Sequence, residues 1–539
     1  MRTATLSLWL VLGALWLASM PLRPLFDPDE GRYAEIPREM AASGDWITPT
    51  LNDVKYFEKP PLQYWATAAL YSVFGVQQWT ARLYATVLAF LCIPLVFGFC
   101  RLIGYATDTS LVAAALLATN PYFAITGQLN LLDQGFTFFL CAALFAFVIA
   151  QLAHDSPARL RNWMLITWAA LGLAVLSKGI VTLVLAGATL TVYMAATRDL
   201  SPLRRLQLRA GVPLFLVITV PWFWLIQRRN PEFFQFFFVR EHFERYLTTV
   251  ADRVEPFWYF IPIVAVALLP VLGNWRSWTL AKIEGERSAG EFRAELFLLT
   301  WCAVVIVLFS LSQSKLATYV MPIMPPLAVA LARVTRGQAD AFPRAKWLSI
   351  GFLLLIAATL AFLAWRRMGS EWPSSLAWAI AAGVLCIGYV IFDGQRSRLD
   401  LARRWSVLAA VSIACYQILA MCYAATFPAR SGAAVAAQIG ASIDANTALY
   451  SVGQYRHSVS FYLRRPLFVY DYRGELEFGL SQAGITLPAQ DRGKFLECWQ
   501  AASDAIAFID PRIYASLAAA GMSGRIVARD AHSIVVARS

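Results

Sequence analysis

The sequence predicts a polytopic α-helical membrane protein with a small soluble α/β domain at its C-terminal end. Three observations predict it. Of 539 residues, 58% are hydrophobic and only 15% charged, against roughly 25% charged in soluble domains. Apolar runs long enough to cross a bilayer recur up to Phe427. Beyond Phe427 the composition turns polar, and short β-type runs replace the long ones.

Spanning a bilayer takes about 17–25 apolar residues. Such segments fall near 4–22, 81–101, 109–127, 132–152, 163–178, 180–197, 210–227, 257–274, 295–312, 316–334, 347–365, 374–393 and 406–424, thirteen in all. Arg2 ahead of the run Leu6–Met20 has the layout of a cleaved leader, but the many later spans favour an uncleaved first span. Short loops rich in Lys and Arg belong on the cytoplasmic side. The clusters at Arg198–Arg209, Arg276–Arg293, Arg333–Lys346 and Arg396–Arg404 then lie inside. Loops 23–80 and 228–256 and the C-terminus then fall outside. The formal net charge of +12 is explained by these loops, without a nucleic-acid partner.

Residues 62–76 are apolar but short. Counting them as a span would invert every later loop, so they are read as an interfacial helix with Tyr64, Trp65 and Tyr71 at the water boundary. Residues 1–427 thus form a membrane domain with a long first outer loop, and 428–539 a soluble α/β domain on the outer side. Strands are expected at 448–452, 467–470, 505–509 and 533–537, with helices around 431–443 and 491–503. Seven of the eight cysteines lie in or beside apolar runs and Cys498 stands alone, so no disulfide or Cys-based metal site is expected. No glycine-rich phosphate loop occurs, so no nucleotide cofactor is expected.

The chemistry-bearing residues concentrate in the outer loops. In Asp27-Pro28-Asp29-Glu30, Asp27 fits an N-cap, Pro28 the first helical position and Glu30 the third position of a capping box, with Gly44 ending the helix. Capping leaves Asp29 unexplained. Asp29, Arg32 and Tyr33 share one helix face, which is either solvated or a polar site. Glu58-Lys59-Pro60-Pro61 fixes a Lys just before the short helix, either as a weak ion pair or at lipid-phosphate depth. Asp133 stands at the rim of a span, where an acid is a functional candidate, and Lys178 is a weaker one. In Arg240-Glu-His-Phe-Glu-Arg-Tyr246, the two arginines suit phosphate oxygens, and His242 with Glu58 could hold a divalent cation. Tyr319, at the start of a span, is a belt residue or a donor to a phosphate.

Asp29-Glu30, Tyr56-Phe-Glu-Lys-Pro60, Asp133, Glu241-His-Phe-Glu-Arg245 and Lys315-Leu-Ala-Thr-Tyr319 together resemble the bacterial aminoarabinose transferases. These are GT-C glycosyltransferases, with the protein O-mannosyltransferases as relatives. The resemblance implies a GT-C fold of about thirteen spans, with a periplasmic active site and a cytoplasmic N-terminus. It implies transfer of 4-amino-4-deoxy-L-arabinose from undecaprenyl phosphate to a lipid A phosphate, with inversion at the anomeric centre and resistance to polymyxin and cationic peptides. On it, Asp29 and Asp133 are expected to be catalytic. Arg32, Tyr33, Tyr56, Lys59, Arg245 and Tyr319 are expected to bind the donor and its lipid phosphate, and Glu58 and His242 to hold zinc or magnesium. The expected partners are the lipid-linked donor, lipid A and membrane lipids, and the expected state is a monomer. Two alternatives stay open: a GT-C transferase of other sugar or acceptor specificity, and a lipid flippase.

Overall fold

The computed structural model describes residues 2–153, 155–244, 254–273, 275–279, 292–338, 340–367, 372–396, 400–440, 443–482 and 491–538. The chain divides into two compact units. One comprises Met1–Met20, Glu58–Gln63 and Tyr84–Thr426; the other comprises Pro21–Phe57, Tyr64–Leu83 and Phe427–Ser539. The first outer loop, apart from Glu58–Gln63, is therefore compact with the C-terminal domain rather than with the spans.

The first unit is helical. All thirteen expected segments carry helix, and nine helices among the described residues are long and apolar enough to cross a membrane. Ser7–Leu17, Thr107–Thr119 and Val181–Thr197 are apolar but shorter. Segment 257–274 is two short helices, Phe260–Ala267 and Leu269–Leu272, with Pro270 at the start of the second. Segment 316–334 begins as a 3-10 helix, Ala317–Ile323, before the α-helix Met324–Arg336. Pro322, Pro325 and Pro326 lack amide protons, so the α-helical ladder cannot form until after them.

Small residues let these helices approach closely. Ala143, Ala170 and Leu171 form one buried cluster with Trp168 against it. A Cβ added at Gly211 would lie 1.9 Å from Trp168, whose Nε1 donates to Leu206 O at 2.9 Å. Buried polar groups pair across helices. Gln417 Nε2 donates to Trp16 O at 2.9 Å. Asp393 accepts from Lys346 at 2.8 Å and from both Nε and Nη2 of Arg404, tying together the helices Ala341–Arg367, Trp372–Gln395 and Leu401–Thr426.

In the second unit, the helix Asp29–Ser43 ends at Gly44 in the left-handed conformation, as expected. Its N-terminus corrects the capping-box reading. Pro28 occupies the cap position and no side chain caps the helix. Asp27 instead accepts from Ser458 N at 2.8 Å, Ser458 Oγ at 2.6 Å and Arg456 Nε at 3.3 Å. Glu30 turns inward to Arg23 and Arg82. Gly31 is required by close packing, since a Cβ there would stand 2.5 Å from Ser458 N.

A hairpin of β1 (Thr50–Leu51) and β2 (Val54–Lys55) follows. Asn52 and Asp53 turn it, both with positive φ near 57°, as a two-residue hairpin favours. Glu39 clamps it to the helix, accepting from Thr50 Oγ1 at 2.7 Å, Asn52 N at 2.6 Å and Asp53 N at 3.2 Å. The Asn52 amide pairs with both N and O of Leu467, like a strand neighbour. Leu467 immediately precedes the edge strand β4, so the amide covers part of an otherwise open edge.

The C-terminal sheet runs β4 (Phe468–Tyr470), β3 (Ala448–Val452), β5 (Ala505–Ile509), β7 (Ile534–Arg538), β6 (Arg525–Arg529). β3 pairs in parallel with β4 and β5; β7 is antiparallel to β5 and β6. The four expected strands are present. β6 was not expected, because its exposed ends give no clean alternation. Every residue of β5 is buried, and Tyr450, Phe495, Trp499 and Val536 share its core. The short helix Leu62–Phe74 forms as expected. Tyr64 and Tyr71 do not stand at a water boundary, however. Both are buried, Tyr71 donating to Ala34 O at 3.1 Å and Tyr64 stacking on Tyr33 at 6.5 Å.

Candidate active site

In the second unit, four expected residues come together. Arg32 is buried and donates to Asp29 at 3.3 Å from Nη1 and to Glu475 at 3.0 Å from Nη2. Its guanidinium lies 5.8 Å from the centre of the Tyr33 ring. Burial disfavours the Arg32 charge, but Tyr56, Glu475, Tyr33 and Asp29 surround it and hold its pKa well above the ordinary value. Asp29 itself is about half exposed, with 47% of its side chain accessible. A fixed cation thus holds an accessible carboxylate in place.

Two residues of this cluster were not expected. Glu475 reaches Arg32 from 443 positions away. It pairs with buried His457 and accepts from Tyr472 Oη at 3.2 Å. Burial would raise the Glu475 carboxyl, but His457 and Arg32 hold it well below the usual carboxylate range. Glu475 lies in the short 3-10 helix Gly474–Leu476, in a stretch Tyr472-Arg-Gly-Glu where nothing periodic in the sequence distinguishes it from a solvated acid. Glu475→Gln is expected to lower kcat about tenfold with KM nearly unchanged, since a neutral partner holds Arg32 and hence Asp29 less firmly. Steady-state kinetics separate this from a binding role.

In the first unit, Asp133 pairs with Lys178, raising the weaker candidate to a site member. The Lys178 ammonium lies 4.7 Å from the centre of the Tyr319 ring and 5.2 Å from that of Phe136. Tyr319 also packs on Phe309 at 4.8 Å. Gln63 donates to Asn130, just before Asp133, at 2.9 Å. Lys59 is half-buried, donates to Glu58 O at 2.8 Å and lies 3.6 Å from Glu241. Glu241 belongs to a π-helical stretch, Gln235–Glu244, a conformation frequent at functional sites. An apolar groove of about 660 Å³ is lined by Val175, Phe215, Phe223 and Trp224, with Arg228 among its few polar groups. Val175 lies one helical turn before Lys178.

Arg245 and the side chain of His242 lie outside the described residues. Among the described residues, no three His, Cys, Asp or Glu side chains gather closely enough to hold a metal ion. The metal expectation therefore has only Glu58 as a described donor, and no chemical step is routed through an ion.

Residues 435–538 match the family described as aminoarabinose transferase C-terminal domain, and residues 5–237 the family of dolichyl-phosphate-mannose-protein mannosyltransferases. An undecaprenyl phosphate-alpha-4-amino-4-deoxy-L-arabinose arabinosyl transferase 1 of Sodalis glossinidius is 30% identical over 519 residues, covering 89% of this chain and 88% of its own length. The chain belongs to the aminoarabinose transferase family. A second member, from Pseudomonas aeruginosa, is 30% identical and covers 93% of this chain and 92% of its own. A crystal structure of ArnT from Cupriavidus metallidurans bound to undecaprenyl phosphate has TM-score 0.88 at 32% identity, covering 100% of this chain and 98% of that one. The fold is the GT-C fold expected from the resemblance, and the chain is a multi-pass membrane glycosyltransferase. Family membership sets aside the flippase alternative.

Proposed function

We propose that this enzyme moves 4-amino-4-deoxy-L-arabinose from undecaprenyl phosphate to a phosphate of lipid A, at the outer face of the bacterial inner membrane. The observation carrying this is the whole-chain match to a family member bound to undecaprenyl phosphate. In one displacement, the bond from the anomeric carbon to the donor phosphate oxygen breaks, leaving its electron pair on that phosphate. A bond to an acceptor phosphate oxygen forms on the opposite face, and the configuration inverts. A phosphate acceptor is already ionised at neutral pH, so no general base is required. The residues must instead stabilise charge.

Lys59, Arg245 and Tyr319 take the negative charge growing on the leaving phosphate, as preorganised donors do best. Asp29, held by Arg32, orients the sugar and stabilises positive charge at the anomeric carbon. Asp133 is already neutralised by Lys178, so its role is to position Lys178 and Tyr319 rather than to bind the donor's amine. The apolar groove beside Lys178 suits a polyprenyl chain. The N-terminus is cytoplasmic and the C-terminus periplasmic in this reading. The added amine offsets phosphate charge, which weakens binding of polymyxin and cationic peptides.

The test is lipid A mass spectrometry in a strain lacking its own transferase but making the donor. An aminopentose adduct is expected with this gene. If the protein reaches the membrane and no adduct forms, the reading gives way to another polyprenyl-phosphate sugar, the alternative favoured by the mannosyltransferase match over residues 5–237. A divalent cation on Glu58 and His242 is a separate proposal. Turnover should then fall on dialysis against EDTA and recover with zinc or magnesium; unchanged turnover removes it.

A further inference from the structure

We propose that Lys315 and Ser314 form an additional binding element for a lipid-borne phosphate, an inference that rests on the glycosyltransferase reading above. Both lie in the tight turn between the helix Ala294–Leu311 and the 3-10 helix that carries Tyr319. Lys315 is 6% exposed and Ser314 4%. A buried ammonium is costly unless its three donors find acceptors. Lys315 Nζ meets one, Ser312 O at 2.6 Å. Among the described residues, no carboxylate pairs with it.

The other lysines near the site differ on this point, for Lys178 pairs with Asp133 and Lys59 lies 3.6 Å from Glu241. The turn also spares a hydroxyl. Ser312 Oγ closes the turn by donating to Ser314 O at 3.0 Å and accepting from Ser314 N at 3.3 Å. That leaves Ser314 Oγ, a buried hydroxyl with no partner among the described residues. Two ammonium protons and a hydroxyl in one turn, four and five residues before Tyr319, are donors without acceptors among the described residues. Their shared complement is a tetrahedral oxyanion, and in a membrane enzyme handling two phospholipids that means a phosphate. A buried cation at the rim of a span is a functional candidate by default. The phosphate is that of the polyprenyl donor or that of the acceptor lipid, and kinetics distinguish the two.

The experiment compares the purified full-length protein with Lys315→Met, Lys315→Arg and Ser314→Ala. Thermal midpoints are read with and without undecaprenyl phosphate, and KM is measured for donor and acceptor. Removing a buried, weakly paired charge need not destabilise a protein, so Lys315→Met should keep the unliganded midpoint. If the donor phosphate sits here, Lys315→Met loses about tenfold or more in affinity for undecaprenyl phosphate. If the acceptor phosphate does, the acceptor KM rises about as much while the donor KM holds. Lys315→Arg should recover most of either loss, and Ser314→Ala should show the same selectivity to a smaller degree. Lys315→Met with native affinity and both KM values unchanged overturns the proposal. So does a misfolded Lys315→Met accompanied by a Ser314→Ala indistinguishable from the native protein. Failure of the wild type to use the aminoarabinose donor would refute the functional reading instead, and the undecaprenyl phosphate midpoints would still judge Lys315.

Discussion

Asp29→Asn is expected to lower transfer by about 10²–10³-fold or more, the scale lost with a single charge-stabilising group in a preorganised site, while leaving the fold intact. The two halves of that expectation come from different observations. Asp29 is half exposed and, among the described residues, bonds to Arg32 alone, three residues along the same helix. Asparagine keeps its shape, and substitutions at such positions usually cost within about 0.5 kcal/mol. What asparagine lacks is the charge. A carboxylate stabilises an anomeric carbon that becomes cationic as the donor bond breaks, and this interaction is stronger in the transition state than with the bound donor. The loss should therefore appear in kcat, with undecaprenyl phosphate still shifting the thermal midpoint as in the native protein. A variant that fails to fold would make Asp29 structural, and one with native turnover would remove it from the chemistry.

The contrast between Asp29 and Glu30 shows what was legible in the sequence. Helical spacing places Asp29, Arg32 and Tyr33 on one face, and the structure keeps them together. The spans were readable because hydropathy acts locally, residue by residue. Glu30 was assigned to capping because a local motif accounts for it, yet its partners are Arg23 and Arg82, the second 52 positions away. Asp27 likewise serves Ser458, 431 positions distant. Glu475 and His457 were invisible for the same reason, since their contact with each other and that of Glu475 with Arg32, 443 positions away, leave no periodicity. Local chemistry predicts elements and faces; buried charge is paired by tertiary structure and has to be seen.

That buried charge gives the second large effect, on stability. Arg23, Glu30 and Arg82 are all at most 2% exposed. Glu30 accepts from Arg82 Nε at 2.7 Å, Arg23 Nη1 at 2.9 Å and Phe26 N at 3.0 Å. Burial alone would raise its pKa, but Arg23 and Arg82 bring it down to about 2. Glu30→Gln leaves two buried guanidinium groups facing a neutral amide, and breaking such a network costs about 3–5 kcal/mol. The sign in pH follows from the lowered pKa. The Glu30 contribution is complete above about 4.5, its ordinary value, and is lost as pH falls toward about 2, an effect of about 3 kcal/mol. Glu39, in the same unit, has the opposite sign. Burial and neighbouring Glu35 raise it to about 8, so its contribution is complete below about 4.5 and is lost as pH rises through 8. Thermal midpoints of the purified protein should therefore fall at both ends of the pH range. Glu30→Gln should shrink the acid limb, leaving the part carried by Glu475, and Glu39→Gln, which mimics the protonated acid, should shrink the alkaline one. If each variant keeps the native profile, neither carboxyl controls the stability of this unit, and acid and alkaline loss must begin elsewhere in the chain.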